Sequence, residues 1–371
     1  MKLKIAILPG DGIGPEITQQ SVKVLKAVAD RFDHQFEFEE ALVGAAAIDL
    51  LENPLPDATL ELCEKSDAVL FGAIGDPKYD NNPEAKVRPE QGLLKLRKEL
   101  GLFANIRPVK AFDKLIDQSP LRPERIQGAD MVIYRELTGG IYFGDKSTAE
   151  DGQSATDVCT YSVEEIERMA HLAFKAAQQR SKKLTLVDKA NVLETSRLWR
   201  KTVTALAEKY PDVKLDFLYV DNAAMQMILD PKQFDVILTE NMFGDILSDE
   251  ASVIGGSIGL LASASVGDKN ALFEPIHGSY PQAAHKGIAN PLASVLSAAM
   301  LLDHFDLTEE AEAIRHAVEV SIQLNVCTQD INKDNHYSTE KVGDFLESLI
   351  SEVDNININN ENLNLGQMTI I

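Results

Sequence analysis

The chain has 371 residues, long enough for two domains or one large one with a substantial core. Lys and Arg total 36 against 58 Asp and Glu, a formal net charge of −22. That balance excludes a general nucleic-acid binder, because neutralising phosphates needs a basic stripe, and it argues against anchoring on anionic lipid.

Three cysteines, Cys63, Cys159 and Cys327, lie far apart with no C-x-x-C pair. Free thiols in a reducing cytoplasm are therefore expected, not a disulfide framework or a zinc ribbon. The apolar run at the start breaks at Pro9-Gly10, too early for a signal peptide, and no run of about 18 apolar residues is available to span a membrane.

Lys4–Leu8 reads as a strand and Glu16–Asp30 as a helix, with Pro15 at its first helical position. Ala68–Gly72 and Met131–Arg135 are further strands, followed by helical periodicity over Thr160–Ala177. Leu184–Val187 is a strand, Thr195–Lys209 a helix, and Leu215–Val220 and Val236–Leu238 are strands again. Pro291–Leu302 and Glu309–Leu324 read as helices. This alternation predicts an α/β architecture with a partly parallel sheet and no internal repeat. Ser351–Ile371 carries six asparagines interleaved with Ile and Leu. It reads as a disordered tail, and the alternation from Ile356 to Ile358 also permits a short strand.

Several segments could carry chemistry. Gly10-Asp-Gly-Ile-Gly-Pro-Glu16 is a glycine-rich turn between a strand and a helix, but its glycines at 10, 12 and 14 do not fit the G-x-G-x-x-G of a Rossmann loop. Arg97, Arg107 and Arg135 are candidate carboxylate ligands, since the planar guanidinium binds carboxylates bidentately. In so acidic a chain an anionic ligand needs such a local cationic pocket.

If Gly244-Asp-Ile-Leu-Ser-Asp-Glu250 is helical, Asp245 and Asp249 share one face, where their repulsion would be relieved by a divalent cation. Oxygen donors of this kind suit Mg²⁺ or Mn²⁺; a solvated acidic face is the other reading. Asp221, closing the strand Leu215–Val220, is a candidate third carboxylate. Lys189, just beyond the strand Leu184–Val187, is a candidate base, and Tyr142, after the Gly139-Gly140 turn, a candidate proton donor. The Gly-, Pro-, Ser- and His-rich stretch from Glu274 to Pro291 has the length of a functional loop.

Together these motifs resemble the metal-dependent β-decarboxylating dehydrogenases, the family of isopropylmalate, isocitrate, homoisocitrate and tartrate dehydrogenases. The likeness runs in family order through Gly10–Glu16, Leu93–Arg97, Asn105–Pro108, Arg135–Tyr142, Asp188–Asn191, Gly244–Asp249, Glu274–Ser279 and Gly287–Pro291. It implies a two-domain α/β fold that is not a Rossmann fold. Residues 1–103 and 255–350 would form a discontinuous cofactor-binding domain, and 104–254 a dimerisation and metal/catalytic domain, with 351–371 as a tail.

The resemblance also implies roles. Arg97, Arg107 and Arg135 would clamp substrate carboxylates, while Asp221, Asp245 and Asp249 would hold Mg²⁺ or Mn²⁺. Lys189 and Tyr142 would be catalytic, with Lys189 and Asp221 reaching the partner's site in an obligate homodimer. Pro77, Glu90, Asn191, His277, Gly278, Ser279, Gln282 and Asn290 would contact NAD. Gln282 stands where NAD-dependent members often carry aspartate, and neither the Lys nor the Tyr of NADP-dependent members occupies positions 282 and 283. His285 stands where relatives often have glycine.

Substrate choice in the family lies around Leu93, Leu94 and Val192. All three are apolar here, which favours a branched alkyl group over a third carboxylate. The implied reaction is NAD-dependent oxidative decarboxylation of 3-isopropylmalate to 4-methyl-2-oxopentanoate, a step of leucine biosynthesis. The sibling activities on tartrate, D-malate or isocitrate are the alternative. No nucleic-acid or membrane partner is implied, and a cytoplasmic location is.

Overall fold

In the computed structural model, which describes residues 1–80 and 87–351, ten of twelve strands form a single sheet. The strands are β1 (Lys2–Gly10), β2 (Gln35–Glu40), β3 (Ala68–Ala73), β4 (Ala104–Lys110), β5 (Asp130–Glu136) and β6 (Lys146–Thr148). They continue with β7 (Ala155–Asp157), β8 (Lys183–Asp188), β9 (Lys214–Tyr219), β10 (Val236–Thr239), β11 (Ala262–Val266) and β12 (Ala271–Pro275).

The order across the sheet is β2-β1-β3-β12-β11-β4-β5-β10-β8-β9, with β6 and β7 pairing as a separate hairpin. Both flanks are parallel, whereas the β12–β11–β4–β5 centre is antiparallel. The chain thus returns after residue 261 to place β11 and β12 between its first strands and β4. β3 is buried at every position, as a strand covered on both faces must be. The edge strand β2 alternates phenylalanine and glutamate, and its charges blunt the free edge.

One face carries a continuous core. Helices Gly14–Arg31, Leu292–His304, Thr308–Gln323 and Thr339–Ser351 cover one flank and Val163–Gln179 with Glu194–Ala207 the other, burying residues such as Leu25, Phe174, Trp199 and Phe273. The opposite face has two separate cores. In one, Leu55, Leu62, Leu93 and Leu96 pack on Leu8, Val69 and Phe71. In the other, Ala223, Met227, Leu247 and Ala251 pack on Ile133, Val187 and Ile237.

The expected strands and helices are present with shifted ends. The helix anticipated from Thr160 begins at Val163, because Ser162 caps it. Its hydroxyl accepts from Glu165 N at 3.2 Å, and Glu165 returns a carboxylate to Ser162 N at 2.7 Å. Pro15 is the second helical residue, one place later than expected. The strand expected over Leu215–Val220 ends at Tyr219, and Asp221 belongs to the first turn of the helix Val220–Leu229. Asp221 therefore opens a helix and does not close a strand.

The glycine-rich turn has a steric reason. At Gly12, with φ +57°, a Cβ would lie 2.0 Å from the Ser279 carbonyl oxygen, and the next residue donates its N–H to that oxygen at 2.8 Å. His285 adopts φ +60°, the left-handed region that glycine enters more easily. All three cysteines are free. Among the described residues no helix is long and apolar enough to cross a membrane. The asparagine-rich stretch expected as a tail, including Ile356–Ile358, lies outside the described residues beyond Ser351.

Candidate active site

Side chains alternate between sheet faces, so β4 turns Asn105 and Arg107 to the face with two cores and Ile106 and Pro108 to the other. Asn105 stands opposite Arg135 of β5, which brings Arg107 and Arg135 onto adjacent strands of the same face. Arg97 reaches the same region from the helix Pro89–Glu99, anchored by buried Leu93 and Leu96.

Each guanidinium is held by named acceptors. Arg97 Nη2 donates to Glu274 Oε1 at 2.6 Å, leaving its Nε buried without a partner. Arg107 donates from Nε to Asn105 Oδ1 at 2.8 Å and from Nη1 to Ser248 Oγ at 2.6 Å and Asp249 Oδ1 at 3.0 Å. Arg135 donates from Nε and Nη2 to Asn241 Oδ1 at 3.1 and 2.9 Å, and from Nη1 to Asp245. Burial pushes the Arg135 pKa down to about 10; Asp245 opposes that shift, while Arg107 and Arg97 add to it. The three cations therefore share one field. A cavity of about 140 Å³ is lined by Leu93, Arg97, Arg107, Glu274, His277 and Gly278.

Tyr142 sits at the end of a short 3₁₀ turn, Gly140–Tyr142, packed on Tyr161. At Gly140, with φ +71°, a Cβ would lie 2.2 Å from the Tyr161 hydroxyl. The Tyr142 hydroxyl donates to Asp245 Oδ2 at 2.9 Å, and burial followed by that hydrogen bond raises its pKa above the ordinary phenol value. Tyr142 and Arg135 thus share one carboxylate. Asp245 and Asp249 lie one turn apart on the helix Asn241–Ser252, as the spacing requires.

Lys189 and Asp221 form a second cluster. The ammonium donates to Asp221, a hydrogen bond that lowers the Asp221 pKa below the usual carboxylate value. Asn191 and Val192 are exposed on the turn after Lys189, and neither lines the cavity. Of the three apolar positions expected around the substrate, Leu93 is 9% exposed and faces the cavity, whereas Leu94 and Val192 are 52% and 60% exposed. The trio is not gathered within one chain.

Other expected cofactor contacts ring the Gly12–Ser279 turn. Ser279 Oγ donates to Gly75 O at 2.6 Å, and Glu90 lies against Gly75, where a Cβ would come within 2.8 Å of its Oε1. Pro77 opens the short helix after Gly75, and Gln282 is exposed. Asn290 donates to Asp330 at 2.9 Å. Burial lowers the His277 pKa, and its Nε2 is buried without a partner.

Sequence reasoning passed over Asp11, whose carboxylate accepts from Ala45 N and Ala46 N at 2.9 Å each and from Gly75 N at 2.8 Å. Its place inside the glycine turn was the available signal. Ser248 and Glu274, which orient Arg107 and Arg97, lie inside segments the sequence singles out, whereas Asn241, which orients Arg135, lies outside them.

The donor set of Asp245 and Asp249, hard oxygens backed by guanidinium groups, suits a divalent cation that keeps water and substrate ligands. Among the described residues no group of three or more His, Cys, Asp or Glu could hold a metal ion. One chain thus supplies two neighbouring carboxylates, and Asp221 stands apart.

The sheet is that of an α/β protein, and its clustered guanidinium groups suit an anionic ligand. The family model described as isocitrate/isopropylmalate dehydrogenase matches residues 4–346. A 3-isopropylmalate dehydrogenase of Bacteroides fragilis is 54% identical over 352 residues, covering 94% of this chain and 99% of that protein. One from Bacillus subtilis is 54% identical, covering 91% and 94%. The crystal structure of isocitrate dehydrogenase from Methylococcus capsulatus matches with a TM-score of 0.83 at 34% identity, covering 94% of this chain and all of that one. A β-decarboxylating dehydrogenase from Thermococcus kodakarensis matches at 0.79 and 37% identity, covering 94% and 96%. The chain belongs to the isocitrate/isopropylmalate dehydrogenase family.

Proposed function

We propose that the enzyme oxidatively decarboxylates 3-isopropylmalate to 4-methyl-2-oxopentanoate, using NAD and Mg²⁺ or Mn²⁺, as a cytoplasmic homodimer. The observation that carries this reading is the single cavity shared by Leu93, Arg97, Arg107, His277 and Gly278. It sets two carboxylate-binding cations and a buried alkyl surface beside the loop assigned to the cofactor. Relatives named for this activity at 54% identity support it further.

When bound, NAD supplies the hydride acceptor and the divalent cation supplies Lewis-acid stabilisation of negative charge at the substrate's C2 oxygen. Arg97, Arg107 and Arg135 bind the two carboxylates, with Asn241 and Glu274 setting the guanidinium planes. Lys189 takes the C2 hydroxyl proton. Tyr142 delivers a proton to C3 once CO₂ has left, since its phenol is protonated at neutral pH. Asp245 and Asp249 of one chain and Asp221 of the other would hold the cation. Leu93 presents alkyl surface to the isopropyl group and leaves a third carboxylate unpaired.

In this reading residues 1–103 and 255–350 form the cofactor-binding domain and 104–254 the dimerisation and catalytic one, supported by the strand order across the β11–β4 junction. Dimerisation is supported by apolar side chains left exposed on neighbouring helices, Met225, Ile228 and Leu229 on one and Ile246 on the next. Initial rates with 3-isopropylmalate, isocitrate, tartrate and D-malate, each with NAD and with NADP, test the reading. Faster turnover of any of the other three acids would overturn the substrate assignment.

A further inference from the structure

The two strands that present Arg107 and Arg135 to the cleft present other residues behind it. Ile106 and Pro108 of β4 and Val132 and Tyr134 of β5 face the opposite side, where Ile106 pairs with Tyr134 and Pro108 with Val132. There they form one wall of a cavity of about 550 Å³, a size that accommodates a small metabolite. Leu260, Ala262, Leu296 and Met300 complete the apolar part of the lining.

Tyr134 is 9% exposed, and its hydroxyl, which makes no hydrogen bond with any described residue, lies open to the cavity as a donor. The rim carries both charge signs in pairs: Lys110 with Glu319 at 2.6 Å, Arg180 with Asp130 at 2.6 Å and Arg315 with Asp303 at 2.7 Å. These pairs are partly exposed, so each contributes little and can exchange partners at small cost. A simple anion would meet the four rim carboxylates Asp130, Asp303, Glu312 and Glu319, and a simple cation would meet Lys110, Arg180 and Arg315. An apolar floor, the open Tyr134 hydroxyl and a rim of both signs together fit a zwitterion with an apolar body.

We propose that this cavity is a second small-molecule site, for an α-amino acid with a large apolar side chain, coupled to the cleft through β4 and β5. The side chain occupies the floor between Pro108, Val132 and Met300. The carboxylate takes the Tyr134 hydroxyl and a rim guanidinium, and the ammonium takes a rim carboxylate. Occupancy sets the position of β4 and β5 relative to β11, and Arg107 and Arg135 on the far side of the same strands move with it. The coupling part alone rests on the proposed activity.

The test is calorimetric titration of the full chain, without substrate, using three probes of one body: L-phenylalanine, 3-phenylpropanoate and phenethylamine. Saturable binding of L-phenylalanine, tighter than either single-charge probe, is expected. Tyr134→Phe, which removes a hydroxyl with no partner in the protein, should weaken it by at least about tenfold, the effect of one hydrogen bond to a charged group. Ala176→Trp, filling the cavity from the helix Val163–Gln179, should abolish it while circular dichroism and melting remain those of a folded protein. No binding up to the solubility limit, equal binding of the acid or the amine, or binding unchanged by Ala176→Trp would each overturn the site. With binding established, a KM for 3-isopropylmalate that does not change with L-phenylalanine would overturn the coupling. A protein inactive on every acid tested that still binds the probe would leave the cavity assigned and remove only the activity reading.

Discussion

Tyr142 donates its hydroxyl to Asp245 at 2.9 Å, while Arg135 holds the other oxygen of that carboxylate. The proposed proton donor, a metal carboxylate and a substrate-binding cation are therefore joined through a single residue. Tyr142→Phe keeps the ring and removes the proton. The kcat for 3-isopropylmalate should fall by about 10²–10⁴-fold with KM little changed, the range for loss of a positioned general acid. Steady-state kinetics decide it: a kcat close to wild type would remove Tyr142 from the chemistry.

Asp249 has an exposed carboxylate, 70% accessible, that among the described residues meets only the Arg107 guanidinium, at 3.0 Å. Protein stripped with a chelator should be inactive and regain activity with Mg²⁺ or Mn²⁺. Asp249→Asn should weaken Mn²⁺ binding by at least about tenfold, since even changes outside the ligand shell commonly cost that much. Electron paramagnetic resonance of free Mn²⁺ measures this directly. Equal affinity in the variant would mean that Asp249 is not a ligand.

How much of this was legible in the sequence depended on what each element exposes. Runs such as Ala68–Ala73 and the Met131–Tyr134 part of Asp130–Glu136 are buried on both faces and announce themselves by apolar residues in sequence. The strand Ala104–Lys110 contains Asn105, Arg107 and Pro108, and Ala262–Val266 alternates alanine with serine, so neither has the apolar signature, yet they build the antiparallel centre on which the site sits. The arginines and the Asp245–Asp249 pair could be named from their motifs, and their proximity came only from the register of β4 and β5. Asp221 was misplaced by one element because Val220 continues the apolar run into a helix. Asp11 and Asn241 went unread because their function is to accept and donate backbone hydrogen bonds that exist only in the folded chain.

Glu240 lies behind the cleft, buried with Glu136 near Tyr161, and burial raises its pKa above the ordinary 4.5, with the Glu136 charge adding to the shift. A folded-state value above the unfolded one means that its stabilising contribution is complete below about pH 4.5 and is lost as pH rises through the folded value. Glu240→Gln mimics the protonated form at all pH. The melting temperature of the variant relative to wild type should therefore increase from pH 4.5 to pH 7. A difference that stays constant across that window would show that Glu240 is not held in a proton-favouring environment.

Lys189 and Asp221 pair with each other and with none of Arg107, Arg135, Asp245 and Asp249 among the described residues, and no described group of three carboxylate, imidazole or thiol ligands gathers around either aspartate cluster. A site made of Arg107, Asp245 and Asp249 from one subunit and Lys189 and Asp221 from its partner accounts for both facts. It also accounts for the exposed Met225, Ile228 and Leu229 beside Asp221 and for Ile246 beside Asp245, which a subunit contact would cover. Lys189→Ala and Arg107→Ala should each be nearly inactive alone. Unfolded together and refolded as a mixture, they should recover about a quarter of wild-type activity: random pairing makes about half the dimers mixed, and each mixed dimer has one site with both defects and one with neither. If Lys189 served the arginines of its own chain, every site in the mixture would keep one defect. Activity would then stay at the level of the separate variants, and the shared site would be ruled out.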